Sequence, residues 1–534
     1  AHFIRPVRWI VALCDKEIIP MEFAHVKSGN VSRGHRFLCK EPVVISDPLS
    51  YKETMREAFV IVDQDERREM IRTGLLAVAD KLGGHVWHNA DLLEEINYLV
   101  EYPTPLYGRI DDEFLKLPVP AVVTPMRDHQ RYYPVRNEDG SLMPYFLTVR
   151  NGGTKALENV QHGNEKVLRA RLDDAKFFFE NDRKKTLEGH RDDLTRINYQ
   201  EGMGDMRDKA DRLQKLTEAI GKDWGFTAEE AADADRAAFL SKSDLATGMV
   251  TEFTELQGEM GKEYALLDGE KPEVAKAIFE QYMPRFAGDI LPEQEIGRAL
   301  SLADKLDNLA ATFLRGLIPT GSQDPFALRR QTIGAVNILT DGKIHWDIRR
   351  GIEAALALLP GDEETKKTVL SQIEDFFRQR IKAIMLDEGI AYDIIDAVLA
   401  GPVDDIYALF LKARSMAESQ LKDEAELRQA VTRLANITKG KTGGKVDPSL
   451  FTEDVEKKLQ DAFEAVSAKA LPLFASYEYG KALPALKELT APINDYLDNV
   501  MVMVDDEAVK NNRISQLLAT LALFNTWGDF SKLV

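Results

Sequence analysis

At 534 residues the chain is too long for one typical domain and is expected to divide into about three. Its 69 Lys and Arg against 88 Asp and Glu leave a net charge of −19, which excludes a protein that coats nucleic acid indiscriminately but leaves room for a local RNA site. Two cysteines, Cys14 and Cys39, are too few for a zinc cluster or a secreted disulfide framework, and no apolar run of about 18 residues is present, so a cytoplasmic chain without a membrane span is expected.

Basic charge is concentrated at the start, where Arg5, Arg8, Lys16, Lys27, Arg33, Arg36 and Lys40 face Asp15, Glu17 and Glu22 within residues 1–40. Across residues 1 to about 190, β-rich runs at 9–13, 119–124 and 145–149 mix with charged helical stretches such as 51–82. This mixture predicts an α/β region, punctuated by Pro103, Pro105, Pro118, Pro120, Pro125 and the Asn151-Gly152-Gly153-Thr154 turn. Helical spacing takes over from about Asp205, first through Leu213, Leu216 and Ile220, then through Phe239, Leu240, Leu245 and Met249. Pro360-Gly361-Asp362 is a helix stop, after which Leu370, Ile373, Phe376, Phe377 and Ile381 restart the stripe, and Gly401-Pro402 marks the next break. The remainder reads as helix, interrupted by Gly440-Lys441-Thr442-Gly443-Gly444-Lys445, whose glycines predict a mobile turn. The expected fold is therefore multidomain and mainly α, with an α/β region at 1–190, a helical domain at 191–359, a helical linker at 360–400 and a helical domain at 401–534.

Catalytic signatures are incomplete throughout. Leu240-Ser241-Lys242-Ser243 matches the phosphate-binding signature of class I synthetases, but its His-Ile-Gly-His partner is missing and His85-Val86-Trp87-His88 is wrong in sequence. Residues 435–442 have the spacing of a relaxed P-loop, yet a charged helix precedes them where a buried strand is needed; a solvated basic turn fits better, in which Asn436, Lys439 and Lys441 could touch RNA. His129 and His162 lie among basic and polar residues without a matched acid or base, which points to structural roles or phosphate contacts. No Gly-x-Ser-x-Gly or Cys/His nucleophile is present.

Recognition residues are easier to name. Arg329 and Arg330 follow Pro325-Phe326 at a helix start, where the dipole prefers anions, so they need either an internal partner, Asp324 or Asp307, or a phosphate. Tyr479, in Tyr477-Glu478-Tyr479-Gly480-Lys481, and Asn512 and Arg513, in Lys510-Asn511-Asn512-Arg513, supply the aromatic, amide and guanidinium groups that stack on or read unpaired bases; packing is their alternative role.

Several longer segments, spread from the first residues to the last, carry a resemblance. They include Phe3-Ile4-Arg5-Pro6-Val7-Arg8-Trp9, Arg33-Gly34-His35-Arg36-Phe37, Met126-Arg127-Asp128-His129-Gln130-Arg131-Tyr132-Tyr133-Pro134-Val135 and Leu302-Ala303-Asp304-Lys305-Leu306-Asp307-Asn308-Leu309. Pro319-Thr320-Gly321-Ser322-Gln323-Asp324-Pro325-Phe326-Ala327-Leu328-Arg329-Arg330 and Ala491-Pro492-Ile493-Asn494-Asp495-Tyr496-Leu497-Asp498-Asn499-Val500-Met501-Val502-Met503 complete the set. Together they resemble the β subunit of bacterial heterotetrameric glycyl-tRNA synthetase over nearly the whole chain, with departures at Thr254, where Pro is common, and Asn337, where a basic residue is common.

That resemblance implies a tRNA-handling subunit of an α2β2 ligase. It would bind tRNA(Gly) and an α subunit that holds ATP and magnesium and forms the adenylate, with neither membrane nor DNA as a partner. No catalytic residue, metal or cofactor is expected here, because the Arg-bearing and Gly-rich strands of class II adenylation are missing. The 401–534 segment is expected to be the helical anticodon-binding domain shared with arginyl-tRNA synthetase, and the 191–359 segment a degenerate HD-type fold. The alternatives are an HD-type metal-dependent phosphohydrolase, which the lack of histidine between His190 and His345 opposes, and a general RNA-binding protein. The family has a substantial part before Arg-Pro-Val-Arg-Trp, so an N-terminally truncated chain is expected.

Overall fold

Two compact units make up the chain in the computed structural model, which describes residues 6–321 and 323–534. One unit holds the residues up to His190 together with Asp244–Tyr264, and the other holds Arg191–Ser243 and Ala265–Val534.

The first unit begins with short β pairings, among them β1 (Ile10–Val11), parallel to β2 (Val26–Gly29). Its main sheet has four antiparallel strands in the order β3 (His85–Val86), β5 (Tyr133–Arg136), β6 (Leu142–Asn151), β4 (Pro103–Arg109). The β6–β4 ladder runs from Tyr145 opposite Arg109 to Asn151 opposite Pro103, so the apolar run at 145–149 is a strand. The charged stretch 51–82 forms two helices, α1 (Tyr51–Glu57) and α2 (Gln64–Lys81), separated where Phe59 takes a φ of 61°. Asp63 caps α2, accepting from the Asp65 amide at 3.0 Å and the Glu66 amide at 3.3 Å. Ile71, Leu75 and Ala79, spaced by four, bring one α2 face into a core with Tyr133, Val135 and Leu147 of the sheet.

Residues 119–124 are not a strand. They form a short helix, α3 (Val119–Thr124), continued by a π turn over Pro125–His129. Proline sits in the first turn, where its fixed φ suits a helix and its missing N–H costs nothing, and burial of Ala121, Val122 and Val123 overrides their β preference. Farther on, α4 (Leu157–Asp182) ends at a buried carboxylate. Asp182 accepts from the amides of Gly248 at 2.8 Å and Met249 at 2.9 Å and from the Tyr264 hydroxyl at 2.9 Å, fastening 244–264 into this unit.

The second unit is helical. α5 (Met206–Trp224) opens on a capping box between Asp205 and Asp208 and ends at Gly225 in the left-handed region, with φ 75°. α6 (Ala228–Leu240) opens on a second box, Thr227 with Glu230. At the centre, α7 (Glu295–Leu314) packs against α5 and α6 and is buried on nearly every face. α8 (Leu328–Asp341), α9 (Ile348–Ala357) and α10 (Glu363–Asp387) also pack against it. The stop at 360–362 is where α9 has ended and Asp362 caps α10, accepting from the Thr365 amide at 2.8 Å. Toward the end, α11 (Ala425–Thr438), α12 (Asp454–Ala475), α13 (Thr490–Asn499) and α14 (Glu507–Asn525) form an interlocked helical group.

Candidate nucleic-acid interface

The helical core of the second unit buries charge. Lys209 of α5 bridges both carboxylates of α7, at 2.9 Å from Asp304 and 2.8 Å from Asp307. Arg212 Nε reaches Asp307 at 2.6 Å and Lys242 Nζ reaches Asp304 at 3.0 Å. Burial alone would raise the Asp304 pKa, but Lys209 and Lys242 outweigh it and hold the carboxyl below its ordinary range. Asp307 is lowered in the same way by Lys209 and Arg212. Lys305, with Nζ donating to the Met283 carbonyl at 2.6 Å and to Ser301 Oγ at 2.7 Å, is pushed by burial down to about 7, offset only in part by Asp304.

Both carboxylates are thus spent on ammonium and guanidinium partners. Among the described residues no group of three or more His, Cys, Asp or Glu is placed to hold a metal ion, so this donor set does not fit magnesium. Ser241, Lys242 and Ser243 are buried, far from the exposed loop a phosphate signature needs. The P-loop lookalike is the C-terminal end of α11 running into irregular chain. His129 lies 3.6 Å from Glu255, and the exposed His162 lies 3.9 Å from Glu165.

Arg329 and Arg330 do stand at the start of α8, half-buried and exposed respectively. Their expected internal partners are engaged elsewhere. Asp307 is taken by Lys209 and Arg212, while Asp324 uses its carboxylate on the amides of Leu328 at 2.8 Å and Arg329 at 2.9 Å.

At the C-terminal helices the structure corrects three of the expected RNA contacts. Arg513 is 4% exposed and forms a two-pronged ion pair with the fully buried Glu456, Nε to Oε1 at 3.0 Å and Nη2 to Oε2 at 3.2 Å. Two further donors reach Thr452 Oγ1 at 2.7 Å and the Met501 carbonyl at 2.8 Å, so four of its five N–H groups are spent inside the protein and burial keeps the side chain from a base. Asn512 is buried too: its side-chain oxygen accepts from the Asp447 amide at 2.7 Å and its amide donates to the Asp447 carbonyl at 3.0 Å. Tyr479 is buried with its ring 5.8 Å from that of Phe474. It is the neighbouring Tyr477 that reaches the surface, stacked 3.5 Å from His345.

What does face outward is the turn after α11. Asn436 and Lys439 are exposed, and the half-buried Lys441 places Nζ 3.5 Å from Met503 Sδ. Residues 500–503 alternate, with Val500 and Val502 buried and Met501 and Met503 exposed at 74% and 54%. Arg513 holds this segment by its Met501 carbonyl. An exposed thioether beside a cation offers an apolar face for a base and charge for a phosphate, and Met501 adds a second exposed thioether two residues away. Met501 and Met503 were missed as candidates, although the Met-Val-Met-Val alternation carries the signal.

Comparison with known proteins matches two regions of the chain. The family described as glycyl-tRNA synthetase beta subunit matches residues 1–400, and the DALR anticodon binding domain matches residues 427–528. A glycine–tRNA ligase beta subunit of Clostridioides difficile (strain 630) is 44% identical over 533 residues, covering 100% of this chain and 77% of the relative. The same-named proteins of Desulforamulus reducens and Halothermothrix orenii are 42% and 43% identical, covering 100% and 96% of this chain and 77% and 75% of themselves. By full-length identity and by the order of its matched regions, this chain belongs to the family of glycyl-tRNA synthetase β subunits.

Proposed function

We propose that the chain is the tRNA-binding subunit of a cytoplasmic glycine–tRNA ligase, assembled as α2β2, in which a separate α subunit binds ATP and magnesium and forms glycyl-adenylate. The observation that carries this reading is the anticodon-domain match at 427–528, with an outward face built from Asn436, Lys439, Lys441, Met501 and Met503. Those side chains suit an anticodon loop, whose splayed bases stack on apolar surface while cations neutralise its backbone. Arg329 and Arg330 are a second place for phosphate contact. The subunit's contribution is orientation: by holding tRNA(Gly) it turns a diffusional encounter of the 3′ end with the adenylate into a positioned one, an effect worth several orders of magnitude in rate.

Within this reading, 191–359, apart from the 244–264 piece held by the first unit, is a degenerate HD-type scaffold whose buried Lys209, Arg212, Lys242, Asp304 and Asp307 have a packing role, 360–400 is a helical linker whose α10 packs on that scaffold and 401–534 is the anticodon-binding domain. Charging of tRNA(Gly) by α alone, this chain alone and both together tests the proposal. Glycylation only with both, and tRNA binding by this chain, are expected; equal glycylation by α alone would refute it.

A further inference from the structure

Where α8 packs on α10, Arg329 at the start of α8 lies within electrostatic reach of Arg380 of α10, and the exposed Arg330 follows Arg329 in the chain. None of the three is ion-paired among the described residues, in a chain where acids outnumber bases and many arginines are paired. Arg380 is half-buried. Its Cζ lies 4.7 Å from the Phe376 ring centroid and its Nη2 donates to Gln379 Oε1 at 3.1 Å, but Nε is shut off from solvent with no acceptor. A buried donor without an acceptor is normally costly and rare.

The electrostatics agree with the geometry. Burial lowers the Arg380 pKa, the charge of Arg329 lowers it further, and Asp324 offsets this only in part. Asp324 is the carboxylate within electrostatic reach, and both its oxygens already serve the α8 amides, so the helix start itself is closed by its cap. What is left is like charge on two helices without an ion-pair partner among the described residues. An oxyanion answers that deficit, since guanidinium groups bind phosphate oxygens through charge-assisted hydrogen bonds.

We infer that Arg329, Arg330 and Arg380 form an anion site that grips the sugar–phosphate backbone of bound RNA, outside the anticodon-domain match. The inference rests on the proposed tRNA-binding role and deepens it by adding Arg380 of a second helix to the phosphate contact of Arg329 and Arg330, in the region matched as synthetase β subunit. Such contacts fix the register of the RNA without reading its sequence.

The test uses Arg380→Gln in complex with α, with tRNA(Gly) affinity measured across a salt series and thermal unfolding of each protein. The variant is expected to bind tRNA about 5- to 50-fold more weakly at a fixed low salt, with the slope of log K against log salt reduced by about 1. Its Tm should stay level or rise, because a like charge with an unmet donor has been removed. Arg330→Gln, exposed and free of packing, should weaken binding in the same direction and stands in if Arg380→Gln misfolds. Unchanged affinity and slope in both variants would overturn the site. So would a drop in Tm that parallels the loss of binding and spares Arg330→Gln. A separate titration with inorganic pyrophosphate covers the other source of the same chemistry: stabilisation of wild type lost in Arg380→Gln, with tRNA affinity intact, would overturn the RNA assignment in favour of a free anion. If wild type itself fails to bind tRNA, the proposed function falls, a result distinct from failure of the site alone.

Discussion

Arg513 and Glu456 form a buried ion pair that joins α14 to α12 and, through the Met501 carbonyl, pins the segment carrying the exposed methionines. Burial favours the protonated Glu456, but the Arg513 hydrogen bonds outweigh this and leave its pKa lowered. Removing one partner of such a pair leaves an uncompensated buried charge, at a cost of about 3–5 kcal/mol. Arg513→Ala should therefore destabilise the protein by that order in denaturant unfolding, and its loss of tRNA binding should track unfolding. A variant with wild-type stability and selective loss of anticodon discrimination would return Arg513 to a reading role.

The exposed cations should behave oppositely. Lys439→Ala and Lys441→Ala remove charge from two lysines that make no ion pair among the described residues, so the Tm should hold within about 1 °C while tRNA binding weakens and its salt slope falls by about 1 per lysine. Calorimetry beside a filter-binding salt series measures both; an unchanged slope removes these residues from the interface.

Asp307 serves two buried cations at once. Asp307→Ala should cost about 3–5 kcal/mol, since Lys209 and Arg212 would keep their burial and lose their shared carboxylate. Urea midpoints of wild type and variant give the answer, and a difference below about 1 kcal/mol would mean the cluster relaxes or hydrates.

Lys305 makes stability depend on alkaline pH. Its folded pKa, about 7, lies below the ordinary 10.5, so between those values the unfolded chain binds more protons than the folded one. The penalty for this lysine is then full below about pH 7 and is relieved as pH rises toward 10.5, so this group makes stability increase across that window. The difference between wild type and Lys305→Met isolates the effect, and it should shift in favour of wild type as pH goes from 7 to 10. A difference independent of pH would mean that Lys305 stays charged when buried.

Much of this architecture was legible in spacing. The strand at 145–149, the break at 360–362 and the helical run of the second unit follow from alternation, Pro/Gly placement and apolar stripes. Residues 119–124 have a β-branched composition, but the two prolines at 118 and 120 favour a helix start and prevail. Arg513 differs for another reason. A polar cluster near a helix end reads as surface, yet Arg513, Leu517, Thr520 and Phe524 advance by four, three and four along one buried stripe. That phase was available in the sequence. The partner Glu456 was not, because it lies 57 residues away on another helix and pairing across that separation leaves no local pattern. The Lys209–Asp304–Asp307 cluster was hidden in the same way.

Asp182 has a consequence for how this subunit can be taken apart. The chain leaves the first unit after residue 190, returns for 244–264, where Asp182 secures it through Gly248, Met249 and Tyr264, and leaves again. A single cut at 190 therefore strands a returning piece of polypeptide away from the carboxylate that organises it. Exchange of regions between relatives, or expression of halves for reassembly, must keep 244–264 with the N-terminal half, and no single boundary does so without also taking 191–243 along, because the segments of the two units alternate along the chain.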